Sequence, residues 1–64
     1  MANTLWKVAL DYSEEGVGMI VDITFKAPED APEETLVDIA RIFVEKTAFK
    51  NQPFTVEEIT ELGS

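Results

Sequence analysis

Apolar and polar residues alternate along two stretches near the N-terminus. In residues 5–12 the even-numbered positions from Trp6 to Tyr12 are apolar, and in residues 17–25 the odd-numbered positions from Val17 to Phe25 are apolar. A period of two residues is typical of a strand with one buried face. The polar segment between them ends in a glycine, so the pattern predicts an antiparallel hairpin with a four-residue turn over residues 13–16.

The register expected for this hairpin places Tyr12 opposite Val17, because every apolar cross-strand pair then lies on one face. On the reverse face the same register pairs Lys7 with Asp22. That face also carries an apolar strip made of Leu5, Ala9 and Ile20. The strip is either the exposed side of a thin sheet or a surface on which a second subunit stacks.

The longest apolar segment, residues 36–49, repeats apolar positions every three or four residues, as an amphipathic helix does. It is long enough to cover a small sheet, so the rest of the chain is expected to pack around it. The predicted core face consists of Leu36, Val37, Ile39, Ala40, Phe43, Val44 and Ala48. Asp38, Arg41 and Glu45 are predicted to face solvent.

Residues that favour helix ends flank this segment. Asp30 is expected to be the N-cap and Glu33 its capping-box partner, with Pro32 in the first turn. The expected signals at the other end are Lys46, Lys50, Asn51 and Pro53. Ile42 and Phe49 lie outside the core face. Either Ile42 is half exposed and Phe49 folds under the last turn, or the two form a small contact patch for a partner or a second copy of the chain.

Residues 54–62 fit two structures. As a strand, the segment would need a β-bulge because Ile59 breaks the alternation. As a helix, it has a capping box formed by Thr55 and Glu58, and its apolar residues recur at helical spacing. A third strand beside the first improves the core. The predicted fold class is therefore α+β in the order ββαβ, with the helix packed on one face of a three-stranded antiparallel sheet; the alternative is ββαα.

The length of 64 residues predicts a single domain spanning residues 1–64, near the lower size limit for independent folding. The N-terminal residues lack the basic and apolar regions of a signal peptide, and no stretch approaches the ~20 apolar residues of a membrane span. The absence of cysteine gives no sign of an oxidising compartment. These features predict a soluble, cytoplasmic protein that does not bind membranes.

The sequence contains neither histidine nor cysteine, which removes the commonest general base, the thiolate nucleophile and most zinc chemistry. The acidic residues lack the spacing of a calcium loop, and the glycines do not form a phosphate-binding loop. The chain is therefore expected to be non-enzymatic, with no catalytic residue, no cofactor and no metal.

Thirteen acidic residues oppose five basic ones, which gives a net charge of −8. This charge disfavours direct binding to nucleic acid and favours a protein partner with a basic surface, unless it serves only to keep a small domain soluble. The candidate partner-binding residues are three acidic groups and the two apolar residues outside the core face. They are Glu14, Glu15, Glu29, Asp30, Glu33, Glu34, Asp38, Ile42, Phe49, Glu57, Glu58 and Glu61.

Three functions follow from these features. The first is a small acidic protein-interaction domain, an inhibitor or accessory protein that binds a host protein. In size, charge and lack of cysteine the chain is similar to the small host-directed inhibitors that bacteriophages encode, although the similarity is one of type and no motif identifies such a family. The second is an acidic mimic of nucleic acid, since carboxylates on alternate strand residues lie about 6.8 Å apart, close to the phosphate spacing. The third is the structural subunit of a homo-oligomer, a homodimer being the simplest.

Overall fold

The computed structural model describes residues 2–14, 17–46 and 52–63. Within these residues the elements are β1 (Asn3–Glu14), β2 (Val17–Pro28), α1 (Glu33–Glu45) and β3 (Phe54–Gly63). The strands form one antiparallel sheet in the order β2-β1-β3. The predicted α+β class, the ββαβ order and the position of the third strand beside the first are confirmed. The ββαα alternative is wrong.

The predicted register of the hairpin is wrong by two residues. Tyr12 lies opposite Met19 rather than Val17, and the ladder is continuous from Asn3↔Pro28 to Glu14↔Val17. The predicted four-residue turn over residues 13–16 is also wrong, because Ser13 and Glu14 belong to β1 and pair with Gly18 and Val17. The two strands are joined by two residues, the commonest length of a hairpin connection. Because the shift is even, every side chain keeps its predicted face. The connecting residues, 15 and 16, lie outside the described part of the chain.

The pairing of Lys7 with Asp22 is therefore also wrong. Lys7 lies opposite Thr24 of β2, and its Nζ is 3.5 Å from Oε1 of Glu58 on β3. Asp22 lies opposite Ala9. Since β1 is the central strand, Lys7 has a diagonal acidic neighbour on each side, Asp22 on β2 and Glu58 on β3, and it forms its ion pair with Glu58.

β3 contains two irregularities in its pairing with β1. Leu10 lies opposite Val56 and Ala9 lies opposite Glu58, so Glu57 is an extra residue and forms a bulge. The bulge changes the alternation, and Val56 and Ile59 consequently lie on the same face of the sheet although they are three residues apart. The bulge that Ile59 predicts is confirmed.

The second irregularity lies at the C-terminal end of β3. Trp6 pairs with Glu61 and Leu5 pairs with Gly63, which leaves Leu62 as the extra residue. Gly63 has a φ of 86°, a left-handed conformation that side-chain-bearing residues rarely adopt. Both irregularities lie on the outer strand β3, whereas the ladder between β1 and β2 has none.

The core lies between α1 and the sheet face formed by the even-numbered residues of β1 and the odd-numbered residues of β2. α1 packs on β1 and β2, and its buried residues Leu36, Ala40 and Val44 are spaced four residues apart, so they form one ridge. The buried apolar residues that share this core are Val8, Leu10, Tyr12, Phe25, Ala27, Leu36, Ala40 and Val44.

The start of α1 differs from the prediction. The N-cap is Pro32, which is extended with φ −63° and ψ 151°, and no side chain caps the helix. The backbone N–H groups of Thr35 and Leu36 donate to the carbonyl oxygen of Pro32 at 3.1 and 3.2 Å. Asp30 lies two residues earlier, in the turn closed by the Ala31 N–H and the Pro28 carbonyl oxygen, so the predicted Asp30 cap and capping box are wrong.

α1 ends at Glu45, with Lys46 as its C-cap. The predicted continuation to Phe49, together with Ala48, Lys50 and Asn51, lies outside the described residues. Phe43, predicted to be in the core, is 47% exposed. It lies on the flank of the buried ridge, with its ring centroid 6.4 Å from that of Phe25 on β2.

Candidate functional site

The charged residues are distributed unequally between the two sides of the molecule. The sheet face that points away from α1 carries charges that nearly balance, because Lys7 and Lys26 share it with Asp11, Asp22 and Glu58. By contrast, α1 and the segment leading into it are strongly acidic. Their charged residues are Glu29, Asp30, Glu33, Glu34, Asp38 and Glu45, against Arg41 and Lys46.

One row of residues on α1 combines acidic and apolar side chains. Glu34, Asp38 and Ile42 are spaced four residues apart, so they follow one another along the side of the helix opposite the buried ridge. All three are exposed, and Ile42 is 51% exposed. We call Glu34, Asp38 and Ile42 the helix row. It places a large apolar side chain at the end of a line of carboxylates.

Ion pairs neutralise this region only in part. Arg41 donates to Glu45 Oε2 at 2.9 Å, and its other terminal nitrogen is 3.7 Å from Asp38 Oδ1. Glu29, Asp30, Glu33 and Glu34 make no ion pair with any described residue. Glu33 and Glu34 lie in the first turn of α1, where the helix dipole favours negative charge. The four carboxylates are exposed and available to an external cation.

The structure does not bring the three predicted acidic groups together on one surface. In β3, Glu58 lies opposite Ala9, on the sheet face that points away from α1. Glu61 lies opposite Trp6, on the sheet face that carries α1. Glu57 occupies the bulge between them. β3 therefore has no row of carboxylates on alternate residues, and the nucleic-acid mimic stays a prediction without that geometric support.

Three candidates from the sequence cannot be placed. Glu14 belongs to β1, but its side chain is not described, and Glu15 and Phe49 lie outside the described residues. The proposed patch of Ile42 with Phe49 thus stays a prediction. The sequence interpretation missed four exposed apolar residues among those described, Met19, Phe43, Val56 and Leu62, which are 45–50% exposed. Phe43 lies at the margin of the apolar arc of α1, which is the signal that could have identified it.

The predicted apolar strip on the reverse face is interrupted. Ala9 is buried at 3% exposure and Ile20 is 56% exposed opposite Asp11, while Lys7 separates Ala9 from Leu5 along β1. Its members therefore do not form a continuous surface. As a stacking surface for a second subunit, the strip stays a prediction.

A shallow cleft of about 100 Å³ lies beside the start of β3. It is lined by Asp11, Ser13, Pro53, Phe54 and Thr55. Asp11 Oδ1 is buried and accepts no hydrogen bond from a described residue. The cleft is well below the roughly 300–1,000 Å³ of typical ligand pockets.

Among the described residues, no group of acidic side chains is arranged to hold a metal ion, and no helix has the length and apolarity needed to cross a membrane.

Tyr12 is a buried residue whose ionisation is changed by its surroundings. Its side chain lies below the C-terminal half of α1 and its ring centroid is 5.4 Å from that of Phe54. Burial raises the pKa of the Tyr12 hydroxyl above its ordinary value of 10.0, the Glu45 carboxylate adds to this rise, and Arg41 opposes it. The phenol is therefore neutral at physiological pH and is not a candidate general base.

Comparison with protein-family models, with curated proteins and with solved structures finds no significant match to this chain.

Proposed function

We propose that this chain is a small, non-enzymatic protein-interaction domain and that the helix row binds a basic surface on another protein. In this role it acts as an inhibitor or an accessory protein of its partner. The single observation that carries the proposal is the position of Ile42, a half-exposed aliphatic side chain in line with Glu34 and Asp38. Protein interfaces commonly combine an apolar centre with a polar rim, and this row has both.

Charge and apolar contact have separate roles in this proposal. Glu29, Asp30, Glu33 and Glu34, which make no ion pair with a described residue, lie in or just before the first turn of α1. They produce a negative field that attracts a basic partner. Ile42 then contributes buried apolar area once the partner has docked. The location of the row on a regular helix, rather than on a connection, keeps these side chains at fixed spacing in the free protein.

A photo-crosslinking amino acid at position 42 tests the proposal in an extract of the source cells. The matched control places the same amino acid at Thr55, which is exposed on β3 opposite Asp11, on the nearly neutral reverse face. We expect position 42 to give a discrete cross-linked protein that position 55 does not give. Equal products from both positions, or no product from position 42, would contradict the proposal.

Charge variants then test whether the row itself is required. Glu34→Gln with Asp38→Asn removes two negative charges from the row, and Glu57→Gln with Glu61→Gln removes two from β3. We expect the first pair to reduce the cross-linked product from position 42 about tenfold, and the second pair to leave most of it. Equal reductions would show that only the net charge matters, and the helix row would then not be the binding surface.

A further inference from the structure

β2 is an outer strand whose exposed edge differs from that of β3. It pairs with β1 along all twelve residues without interruption, and it contains no proline before its last residue, Pro28. β3, the other outer strand, is broken by bulges at Glu57 and Leu62 and carries three acidic residues. Bulges and repeated charges protect a sheet edge from pairing with another strand, and β2 lacks the bulges.

The side chains of β2 are complementary to a second copy of β2 in one antiparallel register. A two-fold axis perpendicular to the sheet must pass between the two copies of one residue, because opposite side chains share a face. If the axis passes at Thr24, Asp22 lies opposite Lys26 of the second copy, and Lys26 lies opposite its Asp22. An axis at Asp22 would instead bring two aspartates together, and an axis at Ile23 would place Asp22 opposite Thr24.

The same register also matches the apolar face of β2. Ile23 lies opposite Phe25 of the second copy, and Val21 lies opposite its Ala27. These residues alternate with Asp22, Thr24 and Lys26 along the strand, so the apolar pairs lie on the side of α1 and the ion pairs on the reverse face. Asp22 and Lys26 thus disfavour other registers and favour this one.

Phe43 extends this surface above the sheet. It is 47% exposed and lies on the flank of α1 next to Phe25 of β2. Glu45 and Arg41 lie on the opposite flank, close enough to Tyr12 of β1 to affect its pKa. Phe43 is therefore on the β2 side of the helix. Since the axis is perpendicular to the sheet, both helices lie on the same face of the dimer, and their Phe43 side chains flank the junction.

We propose that two copies of this chain associate through their β2 edges about an axis at Thr24, which gives a continuous six-stranded antiparallel sheet. The surface is distinct from the helix row, which points away from the sheet and stays accessible in the dimer. The proposal thus does not depend on the proposed function. Its occupant is a second copy, because the edge is self-complementary in both charge and apolar residues.

A charge exchange across the axis tests the register. Asp22→Lys places two lysines opposite each other twice in the dimer, and Lys26→Asp does the same with two aspartates. Asp22 and Lys26 are both exposed and lie opposite Ala9 and Leu5 within the chain, so neither substitution removes an ion pair of the monomer. We expect each variant to keep the circular dichroism of the original chain and to raise the dimer dissociation constant about tenfold or more.

Mixing the two variants is the decisive measurement. In the mixed dimer one copy carries lysine at both positions and the other carries aspartate at both, so both cross-axis pairs become attractive again. Each substitution changes the net charge of −8 by two, so both variants stay strongly acidic. Attraction between oppositely charged proteins therefore cannot account for association of the two variants. Sedimentation equilibrium is expected to show that the mixture forms dimers at concentrations where either variant alone is monomeric.

The double variant Asp22→Lys with Lys26→Asp is expected to dimerise like the original chain, because the two residues are four positions apart on one strand and act only across the axis. Glu57→Lys on β3 is the control with the same charge change, and it is expected to leave dimerisation unaltered. The proposal is overturned if the original chain is monomeric at millimolar concentration, if neither single variant weakens the dimer, or if mixing restores nothing.

Discussion

Leu36 and Ile42 are aliphatic side chains of the same size on opposite sides of α1, and their burial differs widely: Leu36 is 1% exposed and Ile42 is 51% exposed. Leu36→Ala is expected to cost about 2–5 kcal/mol of unfolding free energy, a loss comparable with the whole stability of so small a domain. Ile42→Ala should change it by less than about 0.5 kcal/mol, because alanine favours the helix. Urea unfolding followed by circular dichroism checks both, and equal losses would contradict the described orientation of α1.

Tyr12 provides a test by titration, because it is the only tyrosine of the chain. Its pKa is raised above 10.0, first by burial and then by Glu45. The ultraviolet absorbance of the phenolate should therefore titrate with a midpoint above 10. Since the native state binds this proton more tightly than the unfolded state, the contribution of Tyr12 to stability is complete below pH 10 and is lost as the pH rises through the native pKa.

The variant Tyr12→Phe isolates this contribution, because it removes the ionisable hydroxyl and keeps the aromatic ring. Its unfolding free energy should fall less between pH 9 and pH 11 than that of the original chain. A phenolate midpoint at or below 10 in the folded protein would contradict the buried position of Tyr12.

The apolar arc of α1 was predictable from the sequence, but the rotation of the helix on the sheet was not. The arc is wider than the ridge that faces the strands, so Phe43 lies at its margin and stays half exposed while Ala40 is completely buried. A helical wheel defines which residues share a side, whereas burial depends on the shape of the opposing surface. For this reason the sequence identified Glu34, Asp38 and Ile42 as candidate residues, but not as one exposed row on the side of α1 opposite the core.

At the scale of elements, the bulge in β3 can be tested by deleting its extra residue, Glu57. Removing Glu57 leaves Val56 opposite Leu10 and Glu58 opposite Ala9, which is a regular ladder with the same side chains on each face. We expect this deletion to change the unfolding free energy by less than about 1 kcal/mol, within the usual effect of a surface change.

Deletion of Thr55 is the matched control. Thr55 is also exposed, but its removal moves Phe54 to the opposite face and away from Tyr12. The loss should approach the roughly 3–5 kcal/mol of a Phe→Ala substitution in a core, reduced because Phe54 is only partly buried. Equal losses for the two deletions, measured by urea unfolding, would contradict the bulge at Glu57.

The elements also explain why the strand faces were predictable and the hairpin register was not. Alternation defines the face of each residue with a period of two, so registers that differ by two residues satisfy the same pattern. The match of Lys7 with Asp22 selected the wrong one, because Lys7 has a second neighbouring strand that supplies Glu58. The start of α1 was misplaced for a similar reason: Asp30 fits a cap locally, but the turn after Pro28 includes it.

At the scale of the whole molecule, half of the net charge of −8 lies on α1 and the segment leading into it, where six acidic residues oppose Arg41 and Lys46. Glu29, Asp30, Glu33 and Glu34 lie close together in sequence without ion pairs to described residues, so they repel one another in the folded state. Sodium chloride at about 0.5 M reduces the Debye length to a few ångströms and so screens this repulsion. We therefore expect it to raise the melting temperature. The variant Glu29→Gln with Asp30→Asn should be more stable at low salt and respond less to salt. Lower stability of this variant would show that these acids stabilise the fold.

The proposal that an acidic helix row binds a basic protein through Ile42 is tested most directly by the salt dependence of cross-linking from position 42. The negative field acts before contact and is screened by salt, so the yield of the discrete cross-linked product should fall steeply as ionic strength rises from about 0.05 to 0.5 M. A yield that does not change with salt would mean that apolar contact alone holds the partner, and the acidic row would then have no part in binding.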